Sequence, residues 1–267
     1  MLTDRSSRGR GIPTVFLLVS CILASARAQD ISSQATALLA TSGIKGGLLV
    51  HVGCGDGEFT AALRQGDHYL VHGLDRLPDP ITTGRSRLLS AGTYGAVSLD
   101  VWNGERLPYT DGLVNLLVVS DPSFRDQAEM MRVLAPRGVA LVCPANSRTA
   151  PAAQWKRTVK PLPENTDEWT HYLHSASNNA VAQDEVVGPP KHLQWLGSPR
   201  WSRHHDNMAS VSALVSAHGR IIYVLDEGST ASVLLPSDWK LVARDAYNGT
   251  ILWKRNIADW HTRLWPL

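Results

Sequence analysis

Three glycines at alternating positions follow an apolar run in the first part of the chain, and an acidic residue comes directly after them. The stretch LLVHVGCGDGE spans residues 48–58 and places glycine at 53, 55 and 57. Because glycine has no Cβ atom, such a loop can bend sharply and let a ligand approach its backbone closely. A helix predicted to start at Glu58 would point its first N–H groups at the same place. The sequence therefore predicts a ligand-binding loop between a strand and a helix.

Two carboxylates stand at the predicted ends of the next two strands. Asp75 ends the run YLVHGLD, and Asp100 ends the run YGAVSLD. A carboxylate in the first position can accept hydrogen bonds from the vicinal hydroxyls of a ribose. Asp100 can accept a hydrogen bond from an adenine amino group while Val101 packs against the ring. A ligand with an adenine, a ribose and no pyrophosphate explains the glycine loop and both carboxylates together.

The spacing within the loop argues against two common nucleotide sites. The dinucleotide fingerprint requires G-x-G-x-x-G, and Glu58 stands where its third glycine would be. No lysine of the P-loop type follows the glycines, so a nucleoside triphosphate site is not predicted either.

Two histidine-rich stretches, WTHYLH and SRHHDN, raise the question of a metal site. Imidazole and carboxylate groups are suitable ligands, but the spacing here matches no zinc signature, so no metal is predicted. The residues concerned are His171, His174, His204, His205 and Asp206.

The elements that must position the glycine loop and its carboxylates alternate along the first half of the chain. Strands that are apolar throughout and separated by helices or loops predict a parallel sheet covered on both faces. The predicted strands are residues 46–53, 69–75, 94–100, 113–121 and 138–144, and the predicted helices are residues 58–65 and 124–134.

Four stretches in this half resemble the motifs of a known family in the family's own order. They are LLVHVGCGDGEF, VHGLDR, LDVWNGERLPYTDGLVNLLVVSD and EMMRVLAPRGVALV, within about residues 44–145. They resemble the class I S-adenosylmethionine-dependent methyltransferases, especially the type-11-like group. The resemblance implies a Rossmann-like domain that binds S-adenosylmethionine (SAM) and methylates an acceptor that the sequence does not identify. It implies these cofactor contacts: Gly53, Cys54 and Gly55 at the methionine and ribose, Asp75 at the ribose hydroxyls, and Asp100 with Val101 at the adenine.

Three positions depart from the family pattern. His51 stands where the family usually has an acidic residue that helps to hold the methionine ammonium group. A neutral imidazole could accept a hydrogen bond there, whereas a protonated one would repel the ammonium. Asn115 replaces an aspartate that commonly begins the fourth strand, and Arg137 replaces a glycine that favours the turn before the fifth.

No catalytic residue is assigned from the sequence. The sulfonium of SAM is already activated, so placing the acceptor in line with the methyl group contributes most of the catalysis. Ser120, Asp121 and Pro122 lie where some members of the family place residues that face the substrate. An ordinary turn at the end of a strand explains these three residues equally well.

The second half of the chain has an all-β pattern. Of the nine tryptophans only Trp102 precedes residue 150, and AHGR at 217–220 and YNGT at 247–250 predict hairpin turns. The repeat L-x-A-x-D, glycine, L-W resembles a blade of the quinoprotein-like (PQQ-like) β-propellers, in which the tryptophan packs between neighbouring sheets. Its residues are Leu241, Ala243, Asp245, Gly249, Leu252 and Trp253.

Length and cofactor chemistry limit what this second resemblance implies. Residues 165–267 would supply about two of the four to eight blades of a propeller, so an incomplete propeller or a fragment is expected. A quinone site needs residues from several blades and a calcium ion, so PQQ itself is not expected. A protein partner bound through the propeller is the alternative, and the order of the two halves resembles large exported bacterial proteins.

The first 28 residues have the pattern of a secretory signal peptide. A basic stretch, an apolar run and the small residues Ala26 and Ala28 follow one another, which predicts export to the periplasm or cell envelope. The sequence LVSC at 18–21 leaves lipidation at Cys21 open. No later apolar run is long enough to span a bilayer, and a net charge of +2 gives no reason to expect nucleic acid.

These observations predict an α/β domain followed by an all-β domain. The predicted divisions are a signal peptide at 1–28, a Rossmann-like domain at 29–147, a linker at 148–164 and propeller repeats at 165–267. The linker prediction comes from the proline and alanine that crowd residues 144–163. Cys54 and Cys143 are predicted to be small buried residues rather than a disulfide.

Overall fold

The computed structural model contains two β-sheets that contact each other. It describes residues 13–144, 150–186, 188–189, 192–198, 203, 211–232 and 234–257, without the side chains of residues 13–26, 28 and 212. The first sheet has six strands and the second has four.

The first sheet is wound in two directions from its central strand. Its spatial order is β3-β2-β1-β4-β5-β6, and β1 to β5 pair in parallel while β6 pairs antiparallel to β5. The six residues of β1 and the six of β4 are all buried, as expected for strands covered on both faces. The strands are β1 Gly47–Val52, β2 Tyr69–Asp75, β3 Val97–Val101, β4 Val114–Val119, β5 Leu134–Val142 and β6 Lys156–Val159.

Within the described ranges, four α-helices accompany this sheet: α1 Pro13–Ser42, α2 Glu58–Ala62, α3 Pro78–Ser90 and α4 Gln127–Val133. Helix α3 lies in a segment for which the sequence pattern predicted no helix. It begins with proline, whose fixed φ suits the first helical turn, and it buries a narrow stripe of Ile81, Gly84 and Leu88. A Cβ atom on Gly84 would lie 2.4 Å from the carbonyl oxygen of Asp56, so glycine lets α3 pack directly against the glycine loop.

Helix α1 continues without a break across the predicted cleavage site at Ala28. Among the side chains of α1 that the structure describes, Ala35, Leu38 and Leu39 pack into the hydrophobic core, and all three come after that site. The described helices include none that is both long and apolar enough to cross a membrane.

The two faces of the first sheet bury separate hydrophobic clusters. One contains Leu49, Val71 and Leu99 with residues of α1 and α3, and the other contains Val50, Leu74 and Leu117 with residues of α4. Cys54 and Cys143 are both buried in the first cluster, and neither forms a disulfide. The prediction that they are small buried residues is therefore confirmed.

The structure differs from the sequence prediction in the segment predicted as a linker, residues 148–164. A short 3-10 helix at Ala152–Gln154 leads into β6, which adds a sixth strand to the sheet. Trp155 is 5% exposed and donates its indole N–H to the carbonyl oxygen of Ala150 at 3.1 Å. Ala152 and Trp155 pack in the same hydrophobic cluster as α1. A segment whose composition is typical of a linker therefore forms a packed edge of the sheet.

The second sheet is an antiparallel meander in the order β10-β9-β8-β7. Its strands are β7 Val211–Ala217, β8 Arg220–Asp226, β9 Trp239–Asp245 and β10 Ile251–Asn256. Both predicted hairpin turns are present, one between β7 and β8 and the other between β9 and β10. The described residues of this half contain one four-stranded sheet, whereas its length predicted about two blades. Residues 192–197, with the sequence HLQWLG, are irregular, and Trp195 packs against Gly249 in the turn after β9.

Candidate functional site

The glycine loop leaves the carboxyl end of β1, where the winding of the first sheet changes direction between β1 and β4. Gly53, Gly55 and Gly57 have φ of 85°, 57° and 73°, in the left-handed region that favours glycine. A Cβ atom on Gly53 would lie 2.6 Å from the backbone nitrogen of Asp121. Apart from Gly55 and its two chain neighbours, no described residue has an atom within 4 Å of the place where a Cβ atom of Gly55 would be, so the loop faces open space there. In doubly wound sheets this crevice is where ligands bind.

Asp75 brings its carboxylate directly to the loop. Its Oδ2 accepts a hydrogen bond from the backbone N–H of Gly55 at 2.7 Å, and its Oδ1 accepts one from Leu77 N–H at 3.1 Å. A carboxylate can accept about four hydrogen bonds, so capacity remains for two hydroxyl donors. Val101 pairs with Asp75 in the parallel register, and its side chain is 51% exposed. The structure thus brings Gly53, Gly55, Asp75 and Val101 together.

Cys54 contributes its backbone to this site and turns its side chain into the core. Its N–H donates to the carbonyl oxygen of Leu74 at 3.1 Å, while its thiol packs against Gly73. Burial, with a smaller contribution from the carboxylate of Asp75, raises the pKa of the Cys54 thiol to about 12. The thiol is therefore protonated at neutral pH and is not a nucleophile.

Asp100 lies on the opposite face of the sheet from Asp75 and Val101. It pairs in register with Leu74, and alternate residues of a strand point to opposite faces. Its Oδ2 lies 2.9 Å from Nε2 of His72, and its Oδ1 forms an ion pair with Arg85. The structure therefore does not bring Asp100 to the same face as the other predicted cofactor residues.

His72 links Asp100 to Tyr109. Its Nδ1 lies 2.7 Å from the Tyr109 hydroxyl, which leaves Nε2 to face Asp100. Burial lowers the pKa of His72 more than Asp100 raises it, and burial raises the pKa of Tyr109. The imidazole and the phenol are thus both held neutral at pH 7.

His51 lies beneath the glycine loop and is 2% exposed. Its Nδ1 is 2.8 Å from the hydroxyl oxygen of Thr60 in α2, and its Nε2 is 2.9 Å from that of Ser120 after β4. The ring stacks edge-on to Phe59 with the centroids 5.4 Å apart. His51 therefore links β1 to α2 and to the end of β4 by buried hydrogen bonds. One of these bonds engages the hydroxyl of Ser120.

An ion pair that the sequence pattern did not reveal crosses the crevice. Arg76 follows β2 and Asp121 follows β4, and their Nε and Oδ2 atoms are 3.4 Å apart. The Arg76 guanidinium also lies 5.6 Å from the centroid of the Trp102 ring. Asp121 Oδ1 accepts hydrogen bonds from the N–H and the hydroxyl of Ser123. The only signal in the sequence was that both charges come directly after the strands that flank β1.

The first histidine-rich stretch, WTHYLH, is not brought into this crevice. Nε2 of His174 lies 2.6 Å from Asp167 Oδ2, and within the described ranges no group of three His, Cys, Asp or Glu side chains is arranged to hold a metal ion. His204, His205 and Asp206 lie outside the described residues.

The opposite, amino-terminal edge of the first sheet contacts the second sheet. The turn after β9 inserts there, and Asn115 Nδ2 donates a hydrogen bond to Asp245 Oδ2 at 2.8 Å. Asn248 Nδ2 donates to the carbonyl oxygen of Leu113 at 2.9 Å and to Asn115 Oδ1 at 2.6 Å. The second sheet therefore leaves the crevice at the carboxyl ends of the strands uncovered.

A doubly wound α/β sheet with a glycine loop and a carboxylate at its switch point defines a Rossmann-like domain. No family model matches the chain, and no curated protein matches it. Among solved structures, it is similar to a protein of Methanococcus maripaludis assigned as an S-adenosylmethionine-dependent methyltransferase, with 18% identity and a TM-score of 0.39 over 52% of this chain and 67% of that one.

Two further structures are similar over the same half. The geranyl diphosphate C-methyltransferase of Streptomyces coelicolor is 23% identical with a TM-score of 0.39, over 42% of this chain and 44% of that one. The [4+2]-cyclase SpnF is 20% identical with a TM-score of 0.38, over 42% of this chain and 43% of that one. The chain thus spans less than half the length of these two proteins, and the similarity does not assign an activity.

Proposed function

We propose that the first half of this chain is a SAM-binding, methyltransferase-like domain that transfers a methyl group to an unidentified acceptor. The hydrogen bond from Gly55 N–H to Asp75 Oδ2, 2.7 Å long, carries the proposal. It holds a carboxylate with spare acceptor capacity beside a glycine loop that faces open space.

The residues of the crevice fit an adenosyl group. Asp75 would accept hydrogen bonds from the ribose hydroxyls, and the backbone of Gly53 and Gly55 would lie along the ligand without a side chain in its way. Val101 is 51% exposed and Leu77 is 62% exposed, so both offer apolar surface to an adenine ring beside Asp75. The bound cofactor would supply an activated methyl group, and the chain would contribute binding and orientation.

Two observations favour a second candidate, a binding or scaffold protein whose methyltransferase-like domain is not catalytic. The Arg76–Asp121 ion pair spans the crevice in which the ligand would lie. Asp100, expected at the adenine, is engaged by Arg85 and His72 instead. In this candidate the second sheet, as part of a PQQ-like propeller, would bind a protein partner.

Export of the chain to the periplasm or cell envelope is part of both candidates. The packing of α1 supports it, because Ala35, Leu38 and Leu39 follow Ala28 and would stay in place after cleavage. Expression in a bacterial host and mass determination of the released protein would test this. A mature chain starting at Gln29 is expected, and a mass that fits a lipidated Cys21 would support the anchored alternative.

Titration calorimetry of the whole chain with SAM and with S-adenosylhomocysteine separates the two candidates. Micromolar binding that falls about tenfold or more in Asp75→Asn supports the methyltransferase-like site, because a hydrogen bond to a charged group contributes about 1.5–3 kcal/mol. Asp67→Asn, at a fully exposed carboxylate in a surface ion pair, is the matched control. Absence of heat with both ligands, for a protein that melts cooperatively, would favour the scaffold.

A further inference from the structure

A cleft of about 610 Å³ lies between the two sheets, at the edge remote from the glycine loop. The first sheet contributes residues 43–46, which lie just before β1, and residues 136–138, which form a turn within β5. The second sheet contributes its two hairpin turns. Because both domains line it, a molecule bound here would contact both.

Three cationic side chains line this cleft: Lys45, Arg137 and Arg220. All three residues are exposed. Throughout the part of the chain that the structure describes, none of the three has a carboxylate within ion-pair distance. Exposed cations at one concave site raise the local potential for anions.

The acidic groups nearby do not neutralise these cations fully. Asp245 lines the cleft, but its oxygens accept hydrogen bonds from Asn115 Nδ2 at 2.8 Å and from the N–H groups of Tyr247 and Asn248 at 2.9 and 3.1 Å. Arg220 is the neighbour of Asp245 across β8 and β9 and lowers the pKa of this carboxyl, but burial raises that pKa more and so disfavours the charge. Glu168, at the rim, accepts a hydrogen bond from His218 N–H at 2.7 Å.

Two turns in the cleft have strained backbones. Arg137 has φ of 65° and His218 has φ of 51°, both in the left-handed region that glycine adopts more easily. Arg137 Nη1 and His218 Nδ1 are 2.7 Å apart, so the two strained residues meet across the domain boundary. Side chains kept at such positions often mark functional sites. Glycine would suit the backbone of residue 137 better than arginine does. The arginine therefore indicates a role for its side chain.

Two aromatic rings complete the lining. Tyr247 lies against Gly219, where an added Cβ atom would be 2.8 Å from its ring, and Trp253 is 36% exposed. Arg255 approaches Trp253 at 5.2 Å from the ring centroid. The rings give the cleft apolar surface for a flat group next to its cations.

We propose that this cleft binds a small anion that carries a flat ring, such as an aryl phosphate, and so clamps the two sheets together. The anionic group lies among Lys45, Arg137 and Arg220, and the ring packs against Tyr247 and Trp253. This site is separate from the proposed SAM site and does not depend on it.

Calorimetry of the whole chain with phenyl phosphate, inorganic phosphate and phenol tests the proposal. Phenyl phosphate is expected to bind tightest, because only it offers both groups, and its affinity should fall about tenfold in Arg220→Gln and in Arg137→Gly. Arg137→Gly should also melt at the same or a higher temperature, because glycine relieves the strain. Lys156→Gln, an exposed cation on β6 outside the cleft, is the control.

The contradicting results are equally specific. The proposal fails if wild type does not bind phenyl phosphate, if phenol binds as tightly, or if Arg220→Gln and Arg137→Gly bind like Lys156→Gln. It also fails if Asp75→Asn weakens phenyl phosphate binding, since the probe would then occupy the glycine-loop crevice. Loss of SAM binding in Asp75→Asn with unchanged phenyl phosphate binding is the expected pattern.

Discussion

The side-chain amide of Asn115 in β4 donates a hydrogen bond to the carboxylate of Asp245 at the end of β9, 2.8 Å away. The amide oxygen of Asn115 in turn accepts from Leu48 N–H at 2.8 Å, and a Cβ atom on Gly47 would lie 1.9 Å from this oxygen. Asn115 thus connects the two sheets through a buried contact. An aspartate at position 115 would face Asp245 with a second carboxylate, whereas the asparagine amide supplies a hydrogen-bond donor.

Asn115→Asp is expected to destabilise the chain by about 2–3 kcal/mol at neutral pH, because it removes a donor from a buried carboxylate. The loss should shrink as the pH falls and one of the two carboxyls takes up a proton. Chemical unfolding at pH 7 and pH 4.5, followed by circular dichroism, measures both effects.

The reversed pair is the control for this prediction. Combining Asn115→Asp with Asp245→Asn restores one amide and one carboxylate and should recover at least half of the lost stability. A double variant no more stable than Asn115→Asp alone would show that the contact between the sheets depends on something else.

Arg76→Gln is expected to tighten SAM binding by up to about fivefold. The Arg76–Asp121 ion pair joins a half-exposed guanidinium to a carboxylate that is 14% exposed and contributes about 1 kcal/mol, and a ligand that enters the crevice must displace it. The substitution would also remove a cation from the crevice in which the positively charged sulfonium is proposed to lie. Calorimetry measures the change, and weaker binding in the variant would indicate that Arg76 contacts the ligand directly.

The Cys54 thiol should resist thiol reagents in the native chain at pH 8. Its pKa of about 12 leaves almost no thiolate, and its side chain is 5% exposed. Ellman titration with and without denaturant checks this. Fast labelling of Cys54 in the folded protein, located by peptide mass, would contradict the burial of this side chain beneath the loop.

Asp226 should make stability depend on pH in the acid range. Burial alone would raise the pKa of this carboxyl, but hydrogen bonds from Asp238 N–H and Gly228 N–H and the contact with Arg203 together lower it. The contribution is therefore complete above the unfolded pKa of about 3.9 and is lost as the pH falls through the lower folded pKa. Urea unfolding between pH 6 and pH 2.5 should show this loss in wild type. If Asp226→Asn loses stability just as steeply over this pH range, other groups cause the loss.

The parts of the fold that were predictable have strong local signals. Residues 69–75 were predicted as a strand and form β2 with those bounds, because an apolar run there ends at the charged residue that starts the next turn. Helix α3 had only a narrow apolar stripe interrupted by Gly84, so its pattern was too weak to predict. Strand β6 was missed because proline and alanine occur in packed edges as well as in linkers.

The site shows the same limit. That Asp75 lies at the glycine loop follows from the order of the strands, and the structure agrees. That Asp100 turns to the opposite face depends on the register of β3 and on His72 and Arg85, which are distant from it in sequence. The Arg76–Asp121 pair likewise requires knowing that β2 and β4 flank β1.

A crystal structure of the whole chain soaked with S-adenosylhomocysteine tests the central claim most directly. We expect density along residues 53–57, with the ribose hydroxyls on the Asp75 carboxylate and the adenine against Val101. A crevice without ligand density, with the Arg76–Asp121 ion pair intact across it at saturating ligand, would contradict the account.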